Sequence, residues 1–343
     1  MPATIKDVAN VSRTSITTVS RVLNGSDYPV SDKLKKRIKK AAKDLRYTPN
    51  LTARSLKTNI STEIAVIVPS IINPYYTSII KVMEDQFFCN NLGMLVYITG
   101  KNGRNPVETL ISVKSRKMAG VVIATDSVED SILKDLCLLK NEGTPIILVD
   151  YQLQKNSEMY GVFFDYFKGA GMAAEYLIGK GHRNIVFATT HLDRRSRLLR
   201  YEGFCESLQN AGVPLDDSRL LVYSGESTYR AGIELANQIA EMRGEITAVA
   251  AINDVVAAGI IMGLGQCGIK VPEEISVIGF DNGEFAMFSH PTLTTVNVPA
   301  EKMGQIAASS LISEIRGNAM DCSIFLEPAI VERNSVSSIN LQR

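Results

Sequence analysis

Apolar positions recur at helical spacing through the first 45 residues. Ile5, Val8 and Ala9 share one face, Val19, Val22 and Leu23 a second, and Leu34, Ile38, Ala41 and Leu45 a third. Thr4 with Asp7 predicts a capping box for the first helix, Ser15 a cap for the second and Ser31 a cap for the third. Polar residues Ser12–Ser15 separate the first two helices, and GSDYPV (25–30) forms the loop before the third. The second helix turns Ile16, Thr17, Ser20 and Arg21 outward. Short hydroxyls, one apolar chain and one arginine suit a helix that enters a DNA groove. On this stretch alone, an ordinary helical bundle with a solvated face is the other reading.

From Glu63 the pattern becomes an alternation of short apolar runs and amphipathic stretches. Strands are predicted at Ile64–Val68, Met94–Ile98, Val121–Ala124 and Pro145–Val149, with helices at Thr77–Phe88, Pro106–Arg116 and Ser131–Lys140 between them. The pattern restarts near Tyr160. Strands at Val162–Phe164, Ile185–Ala188, Leu220–Val222, Ala248–Ala251 and Val277–Phe280 alternate with helices at Gly169–Ile178, Arg197–Asn210, Tyr229–Met242 and Val255–Leu264. Strands apolar on both sides and separated by helices mean parallel sheets covered on both faces. The end of the chain, PTLTTVNVP (291–299), a helix at Lys302–Ile315 and Ile324–Glu332, reads as a return to both lobes.

Charge separates head from body. Residues 1–60 hold 13 Lys/Arg against 4 Asp, a net of +9, while the remaining 24 bases and 32 acids give −8. The net charge of +1 hides this asymmetry, which points to a polyanion met by the head and not by the body. The lysine-rich face of the third helix, Lys36 included, serves phosphate attraction. Residues 51–59, LTARSLKTN, follow the break at Tyr47–Asn50 and are too short for a stable lone helix. Two readings stand for them: a linker made helical by a partner, placing Leu56 in the minor groove, or a flexible tether.

Several classes are excluded or disfavoured. The start is polar and basic, without an apolar run of signal-peptide type, and no stretch approaches ~20 apolar residues. Five scattered cysteines and three dispersed histidines offer neither a disulfide framework nor a zinc site, and a reducing cytoplasm fits them. No cofactor and no metal are expected. Nucleophile-elbow, P-loop and zinc-protease motifs are absent, and GLGQCG (263–268) lacks the strand–turn–helix context of a dinucleotide site, so an enzyme is not expected.

Ligands of parallel sheets bind beyond the carboxyl ends of the strands. The polar residues collected there are Ser70, Asn73, Tyr75, Tyr76, Thr125, Asp126, Asp150, Tyr151, Asp165, Thr190, Asn253, Asp254, Asp281 and Asn282. Four arginines, Arg194, Arg195, Arg197 and Arg200, open a helix after Ala188, and one of the four is expected to point inward. Carboxylates, amides, arginine and aromatic faces suit a polyol or sugar. Asp254 is equally read as the start of a helix.

The head segments TIKDVA (4–9), TVSRVLN (18–24), YTPN (47–50) and ARSL (53–56) and the body segments NPYY (73–76), GKGHRNI (179–185), RYEGF (200–204), NDVVAAG (253–259), VPEEISVIGFDN (271–282) and PTLTTV (291–296) together resemble the LacI/GalR family of bacterial transcriptional regulators. The resemblance implies a helix-turn-helix head, a hinge helix and a two-lobed parallel-sheet core of periplasmic-binding-protein type (type I). It implies a homodimer, or in some members a tetramer, on a pseudo-palindromic double-stranded operator. It further implies a small effector between the lobes, expected to be a sugar or sugar derivative. The expected domains are the head at 1–48, the hinge at 49–61, the first lobe at 62–160 with 291–320, and the second lobe at 161–290 with 321–343. The candidate DNA contacts are Thr4, Ser15, Ile16, Thr17, Thr18, Ser20, Arg21, Asn24, Tyr47, Asn50, Ala53, Arg54 and Leu56. The candidate effector contacts are Asn73, Tyr75, Asp150, Phe164, Arg200, Asn253 and Asp281, and it is the resemblance that singles out Arg200 from its neighbours.

Four departures from the family pattern stand out. The turn reads Ser12-Arg13-Thr14-Ser15 in place of Ala-Gly-Val-Ser, Ala119 replaces an Asp, Asp165-Tyr166 replaces Asp-Asn, and Ser227 replaces an aromatic. The last leaves a differently shaped sugar, a phosphosugar held by arginine, and a nucleobase-like effector all open. A solute-binding protein serving a transporter is the rival of another class, and the basic head speaks against it.

Overall fold

The computed structural model describes residues 3–23, 28–48, 61–99, 105–125, 130–150, 159–213, 215–225, 228–318 and 323–339. They form two compact units, 1–62 and 63–343. The first contains α1 (Ile5–Val11), α2 (Ile16–Leu23) and α3 (Asp32–Asp44). Their predicted faces meet in one core: Val8, Ala9, Val19, Val22, Ile38, Ala41 and Ala42, flanked by Ile5, Leu23, Leu34, Leu45 and Tyr47. Thr4 and Asp7 form the capping box, with the Thr4 amide 2.8 Å from Asp7 Oδ2. Ser15 Oγ accepts the Thr18 amide at 3.1 Å and so caps α2. Of the predicted hinge, 49–61, residues 49–60 lie outside the described residues.

The second unit runs β1 (Glu63–Val68), α4 (Pro74–Cys89), β2 (Gly93–Ile98), α5 (Pro106–Ser115), β3 (Gly120–Ala124), α6 (Asp130–Asn141), β4 (Ile146–Val149), β5 (Gly161–Phe164) and α7 (Tyr166–Gly179). It continues with β6 (Ile185–Thr190), α8 (Arg195–Asn210), β7 (Leu220–Tyr223), α9 (Thr228–Glu241), β8 (Ala248–Ala251), α10 (Asp254–Gln266), β9 (Ser276–Asp281) and α11 (Glu284–Phe288). The last elements are β10 (Thr294–Asn297), α12 (Ala300–Ile315), β11 (Ile324–Leu326) and β12 (Ala329–Val331). They build two six-stranded sheets, in the orders β11-β5-β4-β3-β1-β2 and β12-β10-β9-β8-β6-β7. Every pairing is parallel except β10 with β12.

Alternation in β1 shows why both faces of the first sheet are covered. Ile64, Val66 and Val68 join the core under α4 and α12, with Ile79, Met83 and Ala307, whereas Ala65 and Ile67 join the core under α5 and α6, with Leu110 and Leu136. In the second lobe α7 packs closely on α8, where a Cβ at Gly203 would lie 2.1 Å from the Phe167 carbonyl oxygen. Buried His182 ties the end of the chain to this lobe, its Nε2 donating to the Ser337 carbonyl at 3.0 Å. Burial holds the imidazole below its ordinary pKa.

Three expected assignments are corrected. The strand at Val162–Phe164 pairs with β4 in the first sheet, so the second lobe starts at α7 and not at 161. The segment 291–299, expected in the first lobe, contributes β10 to the second sheet, and only α12 returns to the first. Within 321–343, expected in the second lobe, β11 extends the first sheet and β12 the second. A strand apolar on both faces fits either sheet equally well, and hydrogen-bonded neighbours decide between them. The chain therefore crosses between lobes three times, after Phe164, after Asn297 and between Leu326 and Ala329.

Candidate functional sites

In the head, α2 presents Ile16 at 43% exposure, with Thr17 also exposed. Thr18 and Ser20 are half-buried, and Thr18 shares its hydroxyl with the Ser15 cap at 2.8 Å. The Arg21 guanidinium lies 3.9 Å from the centre of the Tyr28 ring, a cation–π contact. Thr4 is exposed, while Tyr47 packs on the head core. Lys33, Lys35, Lys36, Arg37, Lys39, Lys40 and Lys43 of α3 are all exposed. Asn24, Asn50, Ala53, Arg54 and Leu56 lie outside the described residues. The turn between α1 and α2 is closed by Ser12, fully buried, whose Oγ donates to the Val8 carbonyl at 2.5 Å. Arg13 stands there at φ +47°, in the left-handed region where a glycine would sit without strain.

In the body, the ends of β4 and β9 carry Asp150 at φ +67° and Asp281 at φ +112°. Carboxylates held in this backbone region, at the carboxyl ends of parallel strands, mark a constrained site. Asp150 is buried and accepts a short hydrogen bond from the Tyr75 hydroxyl, which is also 3.5 Å from Met303 Sδ. Burial first, and then the Asp150 charge, push the Tyr75 and Tyr166 phenols well above their ordinary pKa, so both stay protonated donors.

Arg200 is the one buried arginine of its cluster, as expected. It shares the inward face of α8 with Leu199, Gly203 and Phe204. Its Nη1 donates to the Ile252 carbonyl at 2.6 Å and its Nη2 to Asp281 Oδ1 at 3.0 Å. The guanidinium carbon is 4.0 Å from the centre of Phe280 and 4.7 Å from that of Tyr166. Burial raises the Asp281 pKa and Arg200 opposes that rise. Phe164 completes the cluster, edge-on to Tyr166 at 5.1 Å. Asp150, Phe164 and Arg200 thus meet in one packed group. Tyr166 and Phe280 belong to it as well: the sequence marked Tyr166 only as a departure and Phe280 only as the end of a strand.

Beside this group lies a cavity of about 640 Å³, formed by the starts of α4 and α12 from the first lobe and by the end of β9 with α11 from the second. Of the expected residues Asn73, Tyr75 and Asp281 line it. Asn73 also caps α4, accepting the Tyr75 amide at 3.0 Å. Asn253 is not in the lining. Its Oδ1 caps α10 through the Val256 amide at 2.9 Å, and the next residue, Asp254, reaches the cavity. Asp254 is 2% exposed, accepting the Gly283 amide at 2.7 Å and the Thr295 hydroxyl at 2.6 Å. Burial and the neighbouring Asp281 push its pKa up to about 8. Among the lining residues Glu284, Asn297, Glu301, Lys302 and Gln305 escaped the sequence reading: Asn297 ends β10, a strand not among those predicted, and the others come from the N-terminal halves of α11 and α12.

Among the described residues no cluster of His, Cys, Asp and Glu is arranged to hold a metal, and no helix is long and apolar enough to cross a membrane. Residues 4–50 match the model of bacterial regulatory proteins of the lacI family, and residues 174–336 match that of a periplasmic binding protein-like domain. A protein of Erwinia tasmaniensis described as an HTH-type transcriptional repressor, PurR, is 31% identical over 338 residues, spanning 98% of this chain and 97% of its own. The chain belongs to the LacI family. It is a DNA-binding transcriptional regulator, and the family is not one of enzymes. A LacI-family regulator of Silicibacter pomeroyi superposes with a TM-score of 0.82 at 27% identity, covering 98% of this chain and all of that one. A LacI-family regulator of Enterococcus faecium, solved with bound ribose, superposes at 0.70 with 25% identity, covering 81% of this chain and all of that one.

Proposed function

We propose that this regulator is a repressor of a carbohydrate-utilisation operon, with operator affinity set by a small effector bound between its lobes. The observation that carries the reading is the cavity between the lobes, walled by Asn73, Asp254, Asp281 and Gln305. Its mixed amides and carboxylates pair the hydroxyls of a sugar derivative, and the relative solved with bound ribose supports this reading. Because three crossings join the lobes, a ligand touching both favours one inter-lobe arrangement over another, and DNA affinity changes by linkage.

The protein works as a homodimer on a pseudo-palindromic operator. Each α2 enters a major groove with Ile16 and Thr17 at base edges and Ser15, Thr18, Ser20, Arg21 and Thr4 close to the backbone. Asn24, Tyr47, Asn50, Ala53 and Arg54 support that contact, and Leu56 wedges the minor groove. In the test, full-length protein is titrated with sugars, sugar phosphates and purines in the presence of a fluorescent copy of the DNA upstream of its own gene. A ligand that releases the DNA establishes an inducer and one that tightens binding a corepressor. Absence of DNA binding under every condition sinks the reading.

A further inference from the structure

Resting on that reading of the cleft, we infer that Tyr166 plugs its inner half, so that this protein selects an uncharged or cationic effector held in the outer cavity. The phenol ring is 3% exposed and packs against Phe164 at 5.1 Å and Phe280 at 6.1 Å. It comes from the N-terminus of a second-lobe helix and packs on Phe164 of the first lobe, within range of the Asp150 charge. Asp150 accepts the Tyr75 phenol, and its charge also acts on the Tyr166 phenol, so the two rings of the two lobes sit about one carboxylate.

The same ring covers one face of Arg200 while Phe280 covers another, one N–H of each Nη is taken by Ile252 and by Asp281, and the guanidinium is buried outside the lining of the cavity. A ligand phosphate or carboxylate needs a guanidinium edge with free donors. Here two of the donors serve the protein itself, and the unpaired Nε–H is buried, in a residue that does not line the cavity. What stays open is the outer cavity, where Asp281, Glu284 and Glu301 face a single lysine, Lys302. Buried Asp254 stays largely protonated near neutral pH and adds a hydrogen-bonding group rather than full charge. An anion entering this cavity meets carboxylates, whereas a hydroxyl-rich neutral molecule or an amine meets acceptors. Of the three effector types the sequence leaves open, the phosphosugar held by arginine is the one this arrangement rejects.

The experiment is calorimetry, without DNA, on full-length wild type, Tyr166→Asn and Tyr166→Phe, each titrated with D-ribose, D-glucose and D-glucose 6-phosphate. Tyr166→Phe keeps the ring and is expected within threefold of wild type for all three probes. Tyr166→Asn uncovers Asp150 and Arg200, and is expected to gain at least tenfold for glucose 6-phosphate relative to wild type. If Tyr166→Asn loses its cooperative unfolding transition, Tyr166→Val takes its place, since it keeps apolar contact with Phe164. An unchanged profile in the opened variant overturns the plug. So does wild-type binding of glucose 6-phosphate that is tighter than its binding of glucose. Operator binding measured in parallel separates the two readings. A ligand that shifts wild-type operator affinity while the opened variant's profile stays unchanged overturns the plug alone.

Discussion

Arg200 and Asp281 meet at 3.0 Å with side chains only 10% and 13% exposed, and the same arginine lies against Phe280. A buried pair of this kind is costly to break from one side, because the remaining charge stays in the interior. Arg200→Met is expected to lower unfolding stability by about 3–5 kcal/mol, and the double change Arg200→Met with Asp281→Asn to recover most of it. Urea unfolding of the three proteins checks this. Equal loss in the single and double variants rules out the uncompensated charge as the cause.

Asp254 predicts a pH dependence of definite sign. Its folded pKa of about 8 stands above the ordinary carboxylate value of 3.8, so the folded state binds more protons between those limits. Its contribution to stability is therefore present at acid pH and is lost as pH rises through about 8. Asp254→Asn preserves an acceptor for Gly283 and places a donor toward Thr295. The stability of wild type relative to Asp254→Asn should fall from pH 5 to pH 8, as read by thermal unfolding. A flat difference over that range means the carboxyl is ionised throughout.

Arg13 occupies left-handed backbone in the turn of the head. Arg13→Gly relieves about 1 kcal/mol of that conformational cost. Slower hydrogen exchange of the α1 and α2 amides is the expected result, and faster exchange contradicts it.

Gly203 tolerates no Cβ, because the obstacle is the Phe167 backbone rather than a flexible side chain. Gly203→Ala must push α7 from α8, at a cost of about 1–3 kcal/mol. The lower melting temperature should come with little change in operator affinity at 20 °C.

Lys36 and Thr17 separate the two kinds of DNA contact. Lys36→Ala should weaken binding on all sequences alike and reduce the salt slope by about 1, whereas Thr17→Ala should relax the preference at one base pair by about 1–3 kcal/mol. Binding titrations on the operator and on a scrambled duplex at several salt concentrations distinguish them.

Much of this was legible in the sequence because periodicity reports burial. The inward faces carrying Val19 and Ile38, and the caps at Thr4 and Ser15, follow from spacing and hydrogen-bonding chemistry that act over one helical turn. Position left four arginines open and the family resemblance singled out Arg200; the α8 face it shares with Leu199, Gly203 and Phe204 is what buries it. Non-local facts were not legible. The apolar run of β5 satisfies either sheet, so its partner β4 had to be seen. Likewise a tyrosine at a helix start is ordinary until Asp150 and Arg200, distant in sequence, are found against it. The residues of the cleft met a different neighbour from the one expected: several touch each other rather than open space.

The three crossings also bear on how the chain is made. The first sheet lacks its edge strand until Ile324–Leu326 is present, and one of its faces is bare until α12 arrives. A ribosome releases residues in order, and domains generally fold as units while they emerge. Here the first lobe to be synthesised is the one whose completion waits longest. Its unpaired edge must wait while most of the second lobe is translated, and β11 and β12 then complete the two sheets in succession.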